Sequence, residues 1–278
     1  MTDDTQRAKA ELFQRLHQGP ELLVLANSWD VASSRLVEAA GFPAVATSSA
    51  GVAWALGYAD GEHISRDEMA DMVRRICAAV RVPVTADMEA GYGQAPEAVA
   101  ETMRVALAAG AVGLNIEDSV AQAGHRLLDR GLAVERIQAA RAAADRAGIP
   151  AVINARTDAF FPGALKSGDA FAEAVARANA YRAAGAGSLF VPFIADPAVI
   201  GRLAREIDGP LNILARPGMP PLGELKALGV ARVSVGGVLA TSAYAVVRRA
   251  AAELKGPGTY RFAEGAIPHP EMNKLLGG

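Results

Sequence analysis

The segment VPVTADMEAGYGQAPEAVAET, residues 82–102, joins an apolar run to two acids and then to a helical pattern. Residues 82–86 read as a buried strand, and that strand ends at Asp87 and Glu89. A glycine-rich turn follows, and the apolar spacing after it indicates a helix. In α/β proteins the carboxyl ends of parallel strands carry the ligand-binding side chains, so a buried strand that ends in carboxylates suits this class of fold.

Similar β-rich runs recur along the whole chain and alternate with Ala-rich helical patterns. The predicted strands cover residues 22–27, 44–49, 83–89, 113–118, 151–158, 188–193, 211–215 and 232–237. They lack a clean alternation of apolar and polar residues, which indicates parallel strands covered on both faces. These strand–helix units predict an α/β fold, a (β/α)₈ TIM barrel. A doubly wound open sheet is the alternative, but no Gly-x-Gly-x-x-Gly follows the first strand.

The bulk composition limits the possible functions. The chain has 278 residues, of which 51% are hydrophobic and 21% charged, as in globular proteins. Barrels of about 250 residues are common, so we predict one barrel domain over residues 1–278, with an N-terminal helix in 1–19 and a C-terminal helix and tail in 239–278. A formal net charge of -2 provides no basic field for nucleic acid or for an acidic membrane.

The cysteine content and the N-terminus indicate a cytoplasmic protein. Cys77 is the one cysteine of the sequence, which excludes a disulfide framework and a Cys-rich zinc site. Residues 1–19 are charged and amphipathic, unlike a signal peptide. No run approaches the roughly 18 apolar residues of a membrane helix, so no membrane partner is predicted.

Polar side chains crowd at the ends of the first five predicted strands. Asp87, Glu89 and Glu117 would lie on neighbouring strands at one depth. Carboxylates that are desolvated together repel each other, and protonation or a cation relieves this repulsion. Oxygen ligands without a nearby His or Cys cluster favour Mg²⁺, with Mn²⁺ as a substitute. The alternative is a set of structural salt bridges with Arg156 and Arg74.

Arg156 lies near the end of the fifth predicted strand and suits the binding of an anion. Its rigid, charged fork fits a carboxylate or phosphoryl group that also chelates the metal. Ser48, Ser49 and the amides of Ala50 and Gly51 offer uncharged donors to the same anion. None of the lysines lies at a predicted strand end, which disfavours a Schiff-base aldolase.

Four motifs resemble those of the isocitrate lyase/phosphoenolpyruvate mutase superfamily, in family order and spacing. They are TSSAGVAWALGYADG (47–61), TADMEAGYG (85–93), NIED (115–118) and NARTDAF (154–160). The resemblance implies a barrel with an extra N-terminal helix and a C-terminal helix exchanged between subunits of a homodimer or homotetramer. It also implies Mg²⁺ chelated by a 2-oxo acid or its enolate.

The resemblance assigns roles to individual residues of this chain. The implied assignments are Asp87 as direct metal ligand, Glu89 and Glu117 as water-mediated metal ligands, Ser48, Ser49 and Ala50 as the substrate-carboxylate cradle, Arg156 as anion clamp, and Asp60 as an acid near the metal. The shared chemistry is the stabilisation of an enolate-like oxyanion by a metal and positive charge.

The sequence departs from the superfamily pattern after the fourth predicted strand. Ala123 stands where the lyases carry their catalytic Cys, so a thiol-dependent isocitrate lyase is not expected. His125 remains as a candidate loop acid, or as an exposed histidine without a role. The Lys-x-Asn element of the phosphonomutases is missing. Arg216 follows the seventh predicted strand where the lyases have an Asn, which indicates a second anionic group on the ligand.

These observations predict a Mg²⁺-dependent lyase that cleaves a C–C bond of a 2-oxo carboxylate through an enolate. Decarboxylation of a diacid such as oxaloacetate needs the fewest additional groups. One alternative is a phosphonopyruvate-type C–P hydrolase or mutase. The other is a protein that binds a 2-oxo acid without turnover.

Overall fold

The computed structural model describes residues 3–121, 124–165 and 168–277. Its strands are β1 (Leu23–Leu25), β2 (Asn27–Ser28), β3 (Val45–Thr47), β4 (Val84–Asp87), β5 (Gly113–Glu117), β6 (Ser119–Val120), β7 (Arg126–Leu127), β8 (Val152–Arg156), β9 (Ser188–Phe190), β10 (Leu211–Leu214) and β11 (Arg232–Ser234). Its helices are α1 (Asp3–Gln18), α2 (Val31–Ala39), α3 (Ser49–Ala55), α4 (Arg66–Ala79), α5 (Pro96–Ala108), α6 (Arg130–Arg146), α7 (Ala170–Ala183), α8 (Pro197–Glu206), α9 (Leu222–Ala227), α10 (Val238–Lys255) and α11 (His269–Leu276).

Parallel pairing arranges the strands as a nearly closed barrel. The sheet order is β1-β11-β10-β9-β8-β5-β4-β3-β2. The two ends of this order, β1 and β2, are consecutive pieces of one extended segment that is interrupted at Ala26. The (β/α)₈ prediction is confirmed, and every predicted strand is present. The doubly wound alternative is wrong because the first segment pairs with both β3 and the last strand, β11.

Asn27 ties together the strands that close the barrel. Its Nδ2 donates to the Thr47 carbonyl at 2.8 Å. Its Oδ1 accepts from the amides of Val235 and Gly236 at 2.8 and 2.9 Å. The first, second and last barrel strands are therefore joined at the carboxyl end by one buried side chain.

Several strands end earlier than the sequence predicts. Residues 83–89 were expected to be extended, yet β4 stops at Asp87 and Glu89 adopts a φ of 50°. The strand predicted over 188–193 stops at Phe190, and Phe193 has a φ of 68°. The last predicted residues of these strands thus leave the hydrogen-bonded sheet and form loops around the mouth of the barrel.

The predicted N-terminal helix is present as α1 and packs on the chain at the amino end of the barrel. Phe13 is completely buried in the core. Gln6 Nε2 donates to the carbonyls of Leu107 and Ala111, at 2.8 Å each. The opposite, carboxyl end is therefore the open end of the barrel.

The C-terminal region forms α10, a short 3₁₀ turn at Arg261–Ala263, and α11. Arg35 Nε donates to the Leu275 carbonyl at 2.9 Å, so α11 lies against α2 of its own chain. Large apolar side chains of this region are exposed, among them Val247 at 64% and Tyr260 at 72%. Exchange of the C-terminal helix between subunits stays a prediction. Within the described ranges, no helix is long and apolar enough to span a membrane.

Candidate active site

A cavity of about 270 Å³ opens at the carboxyl end of the barrel strands. Its polar lining comes from the first barrel strand, β3, β4, β5, β8 and β11, with their loops, and its apolar lining comes mainly from the ends of β8, β9 and β10. The lining residues are Asn27, Ser48, Ser49, Ala50, Asp60, Gly61, Asp87, Glu89, Asn115, Glu117, Ala121, His125, Arg156, Phe161, Phe190, Phe193, Leu214, Ser234, Gly236 and Gly237. A space of this size suits a small ligand of a few heavy atoms.

Asp87 is oriented by three hydrogen-bond donors. Its Oδ2 accepts from the Ser49 amide at 3.1 Å and from Ser49 Oγ at 2.8 Å. Its Oδ1 accepts from Asn115 Nδ2 at 3.3 Å. The Asp87 amide donates to Thr47 Oγ1 at 2.8 Å, which fixes the backbone as well. The carboxylate at the end of β4 is thus held in one orientation toward the cavity.

Glu89 is a buried acid with one unsatisfied oxygen. Its Oε2 accepts from the Glu62 amide at 2.6 Å, whereas Oε1 is buried without a hydrogen-bond partner. Burial, and then the charges of Asp87 and Asp60, raise the pKa of Glu89 to about 8. Burial and Asp87 also raise the pKa of Asp60. A buried acceptor without a partner is costly, so this oxygen is suited to a ligand or an ion.

Strained backbone surrounds the carboxylates. Glu62, Glu89 and Tyr92 have φ angles of 57°, 50° and 56°, a region that side-chain-bearing residues rarely adopt. The Tyr92 amide donates to Glu62 Oε1 at 2.7 Å, and the Glu62 amide donates to Glu89 Oε2. These hydrogen bonds join the loop that carries Glu62 to the loop that carries Glu89 and Tyr92, and they hold the strained conformations. Non-glycine residues in strained conformations concentrate at functional sites.

Glu117 and Arg156 form a largely buried ion pair that lines the cavity. Arg156 Nη1 donates to Glu117 Oε1 at 2.7 Å. Arg156 Nε and Nη2 donate to the two oxygens of Asp158 at 2.6 and 3.2 Å. Burial alone would lower the pKa of Arg156, but the Asp158 and Glu117 carboxylates raise it above its ordinary value. Burial raises the pKa of Glu117 despite the charge of Arg156.

A second layer of buried groups supports Asp158. The Asp158 amide donates to Asp118 Oδ1 at 2.9 Å, and Ser119 Oγ donates to Asp158 Oδ2 at 2.5 Å. Asp118 Oδ2 accepts from Tyr181 Oη at 2.7 Å and from Arg177 Nη1 at 3.2 Å. This network fixes Asp158, and through it the orientation of the Arg156 fork.

One side of the cavity is apolar. Phe161 and Phe193 pack edge to face with their ring centroids 5.0 Å apart. The Arg156 guanidinium carbon lies 5.7 Å from the Phe190 ring centroid and 5.6 Å from that of Phe193, within cation–π range. Leu214 adds an aliphatic side chain to the three rings, and Phe161, Phe190, Phe193 and Leu214 together form the aromatic wall of the cavity.

His125 lies on the hairpin formed by β6 and β7. Its ring packs on Phe161 with centroids 4.1 Å apart, and its Nδ1 is buried without a hydrogen-bond partner. The residue lines the cavity and has a φ of 55°. Ala123, the position at which the superfamily lyases carry cysteine, lies outside the described residues.

Most of the residues predicted from the sequence meet in this one cavity. Those that line it are Ser48, Ser49, Ala50, Asp60, Asp87, Glu89, Glu117, His125 and Arg156. Arg216 does not line it, because the residue is exposed on the loop after β10. The structure therefore does not bring a second arginine to the predicted anion clamp. Arg74, the partner in the alternative salt-bridge network, instead pairs with Asp71 on the surface of α4.

Other site residues were not assigned a role from the sequence. Asn27, Asn115 and Asp158 orient the site, and their position at strand ends was the available signal. Phe161, Phe190 and Phe193 form one wall, yet apolar residues at strand ends carry no signal that separates them from core residues.

The donor set fits a hard divalent cation. Asp60, Asp87, Glu89 and Glu117 line the cavity together with one arginine, and Glu89 Oε1 lacks a partner. Across the described ranges, no group of three or more His, Cys, Asp or Glu side chains is close enough to hold a metal ion. An ion with few direct protein ligands and several waters matches the preference of Mg²⁺.

Comparison with known proteins agrees with the fold and the motifs. The model of the phosphoenolpyruvate phosphomutase family matches residues 13–255. The 2-methylisocitrate lyase of Escherichia coli K12 is 35% identical over 225 residues, covering 78% of this chain and 73% of the enzyme. The oxaloacetate decarboxylase of Bradyrhizobium sp. BTAi1 is 34% identical over 190 residues, covering 67% of this chain and 64% of that protein.

A crystal structure from Burkholderia cenocepacia J2315, of a protein described as a lyase/mutase, superimposes with a TM-score of 0.92. It is 40% identical, and the alignment covers 99% of this chain and 98% of the other. The chain therefore belongs to the phosphoenolpyruvate phosphomutase family, within the isocitrate lyase/phosphoenolpyruvate mutase superfamily of enzymes.

Proposed function

We propose that the protein is a Mg²⁺-dependent lyase that cleaves a C–C bond of a small 2-oxo carboxylate, as in the decarboxylation of oxaloacetate. The observation that carries this proposal is the cavity that combines Asp87, Glu89 and Glu117 with Arg156, with one Glu89 oxygen buried and unpartnered. The similarity to an oxaloacetate decarboxylase supports the choice of substrate class.

Asp87 would hold the cation, either Mg²⁺ or Mn²⁺, directly, and Glu89 and Glu117 would hold it through water. When bound, such an ion supplies Lewis acidity, which polarises a carbonyl group and favours negative charge on its oxygen. Asp87 is oriented toward this task by Ser49 and Asn115. Binding of a cation would also offset the burial, and the charges of Asp87 and Asp60, that raise the pKa of Glu89.

Arg156 and Ser48 are placed to bind the substrate carboxylate. A guanidinium has five N–H donors, and Arg156 directs three of them to Asp158 and Glu117. One hydrogen on each terminal nitrogen is left for a ligand. Ser48 Oγ accepts from the Gly51 amide at 3.2 Å, which leaves its hydroxyl hydrogen to donate.

The reaction breaks the bond between C3 and the distal carboxylate of the substrate. The electron pair of that bond forms the enolate, and CO₂ leaves without charge. The aromatic wall favours this step, because an apolar surface solvates neutral CO₂ better than it solvates a carboxylate. The positive charge of Arg156 stabilises the anionic enolate. Protonation of C3 completes the reaction, and water, Asp60 and His125 are the candidate proton donors.

The test is a steady-state assay of a panel of 2-oxo diacids and phosphonates, with Mg²⁺ or with EDTA. Mg²⁺-dependent release of pyruvate from oxaloacetate supports the proposal. Release of phosphate from phosphonopyruvate would favour the C–P alternative, which the match to the phosphomutase family model supports. Binding of 2-oxo acids by calorimetry without product formation would leave the third possibility, a binding protein without turnover.

We also propose that the protein forms a homo-oligomer through its C-terminal region. Val246, Val247 and Leu254 on α10 are 46%, 64% and 48% exposed, and Tyr260 follows them in the tail. Exposed apolar residues grouped on one element are typical of protein–protein interfaces. The superfamily resemblance suggests that this element is the exchanged one.

A further inference from the structure

Arg136 on α6 is a buried arginine whose guanidinium contacts the backbone of Ala90, next to Glu89, and the backbone of Glu117. The residue is 1% exposed and is among the largest fully buried side chains. Its Nη2 donates to the Ala90 carbonyl, and its Nη1 donates to the Glu117 carbonyl at 3.4 Å. Ala90 follows Glu89, so one planar group bridges the backbones that carry Glu89 and Glu117.

No ion pair explains the burial of this charge. Among the ion pairs of the described residues, none involves Arg136, and its Nε is buried without a hydrogen-bond partner. Burial lowers the pKa of Arg136, and the more distant Glu62 and Asp118 carboxylates oppose this effect. Burying a charge without an ionic partner is costly, so the two contacts to backbone carbonyls are what Arg136 provides at this position.

The carbonyls that Arg136 binds belong to a strained junction. Glu89 has a φ of 50°, and its carbonyl accepts from the Glu117 amide at 2.9 Å. This hydrogen bond and the two that Arg136 donates, to the Ala90 and Glu117 carbonyls, join the turn at Glu89 to the end of β5. Arg136 supplies two of them from fixed positions, which the single ammonium of a lysine does not reproduce.

We infer that Arg136 is a positioning residue that sets the separation of the Glu89 and Glu117 carboxylates for the bound cation. This inference rests on the proposed metal-dependent function. Arg136 acts through the backbone, from outside the cavity, and does not line it. Loss of groups that orient metal ligands typically weakens metal affinity by about 10–100-fold, and we expect an effect of this size.

Arg141 on the same helix provides a matched control. It donates to the carbonyls of Ala151 and Ile149 at 2.7 and 3.4 Å. These carbonyls precede β8 and therefore lie at the amino end of the barrel, away from the cavity. Arg136 and Arg141 thus make the same kind of backbone contact at opposite ends of the structure.

The experiment compares the full-length wild type, Arg136→Lys, Arg136→Met and Arg141→Met. Mn²⁺ affinity is measured by titration calorimetry, and amide exchange over residues 88–93 and 116–118 is followed by mass spectrometry without metal. Both Arg136 variants should bind Mn²⁺ at least about tenfold more weakly and exchange faster in these segments. Arg141→Met should match the wild type in both measurements.

The two measurements separate the possible outcomes. If the Arg136 variants bind Mn²⁺ as Arg141→Met does, the inference is wrong even though the proposed metal site stands. If the wild type itself binds no Mn²⁺, the proposed function fails. Amide exchange that is the same in Arg136→Lys as in the wild type would overturn the positioning role of Arg136. Arg136→Lys keeps the charge, so it serves as the readout if Arg136→Met does not fold.

Discussion

The Glu89→Gln substitution should stabilise the metal-free protein while weakening its response to Mg²⁺. The ordinary pKa of this carboxyl is 4.5, and burial together with Asp87 and Asp60 raises it to about 8. Between pH 4.5 and about 8, the Glu89 carboxyl is therefore protonated in the folded state and ionised in the unfolded state. Stability of the metal-free protein falls as the pH rises through this window, because the unfolded state gains free energy by releasing a proton that the buried carboxyl of the folded state retains. Gln cannot ionise and removes this loss.

The size of the effect follows from the shift in pKa. One pKa unit corresponds to about 1.4 kcal/mol, so the ionised Glu89 costs on the order of a few kcal/mol once the pH exceeds 8. At pH 5.5 the folded forms of both proteins carry a neutral side chain, and the difference in stability between them should be smaller than at pH 9. For a chain of this size, about 1 kcal/mol shifts Tm by roughly 2–4 °C, so the substitution should raise Tm by several degrees at pH 9.

Thermal unfolding from pH 5.5 to pH 9, in EDTA and in saturating Mg²⁺, measures this effect. Glu135→Gln on the exposed face of α6 is the matched control for the loss of one carboxylate. We expect the Tm difference between Glu89→Gln and the wild type to grow with pH in EDTA and to shrink or reverse in Mg²⁺. A difference that is independent of pH, or a Glu89→Gln protein less stable at pH 9 in EDTA, would refute the reasoning.

Three further predictions address the ligand, the reaction and the assembly. Arg216→Ala should leave the calorimetric affinities for oxaloacetate and pyruvate unchanged, since Arg216 is exposed and does not line the cavity; a selective loss of diacid affinity would restore the two-arginine hypothesis. Isocitrate should yield no glyoxylate in a coupled assay, because Ala123 has no acidic thiol, and measurable glyoxylate would contradict this. Light scattering should show an oligomer at micromolar concentration, and Val247→Glu should weaken it, because Val247 is 64% exposed in the single chain; a monomeric wild type would count against the helix exchange.

The sequence was sufficient to predict the barrel and much of the cavity lining. Asp87, Glu117 and Arg156 follow apolar runs, and the parallel arrangement of those runs brings their ends together. The strand pattern no longer predicts the structure where the chain leaves the hydrogen-bonded sheet. The strand containing Asp87 was expected to continue to Glu89, but a positive φ turns Glu89 toward Glu62.

Long-range contacts account for what the sequence did not reveal. Arg136 occurs in a helix with several other arginines, and local periodicity does not indicate that it reaches the Ala90 carbonyl. Arg216 was assigned by its position after a strand, but the loop directs it to solvent. The aromatic wall joins Phe190 and Phe193 to Phe161, from another part of the chain, and only the folded structure shows that these rings meet.

Pyruvate formation from oxaloacetate tests the central claim most directly when the wild type and Asp87→Ala are compared at the same Mg²⁺ concentration. The variant corrects for decarboxylation by free metal, and circular dichroism confirms that it folds. We expect saturable, EDTA-sensitive turnover by the wild type and only the background rate with Asp87→Ala. Equal Mg²⁺-dependent turnover by the two proteins would contradict the assignment of Asp87, Glu89 and Glu117 to a catalytic metal site.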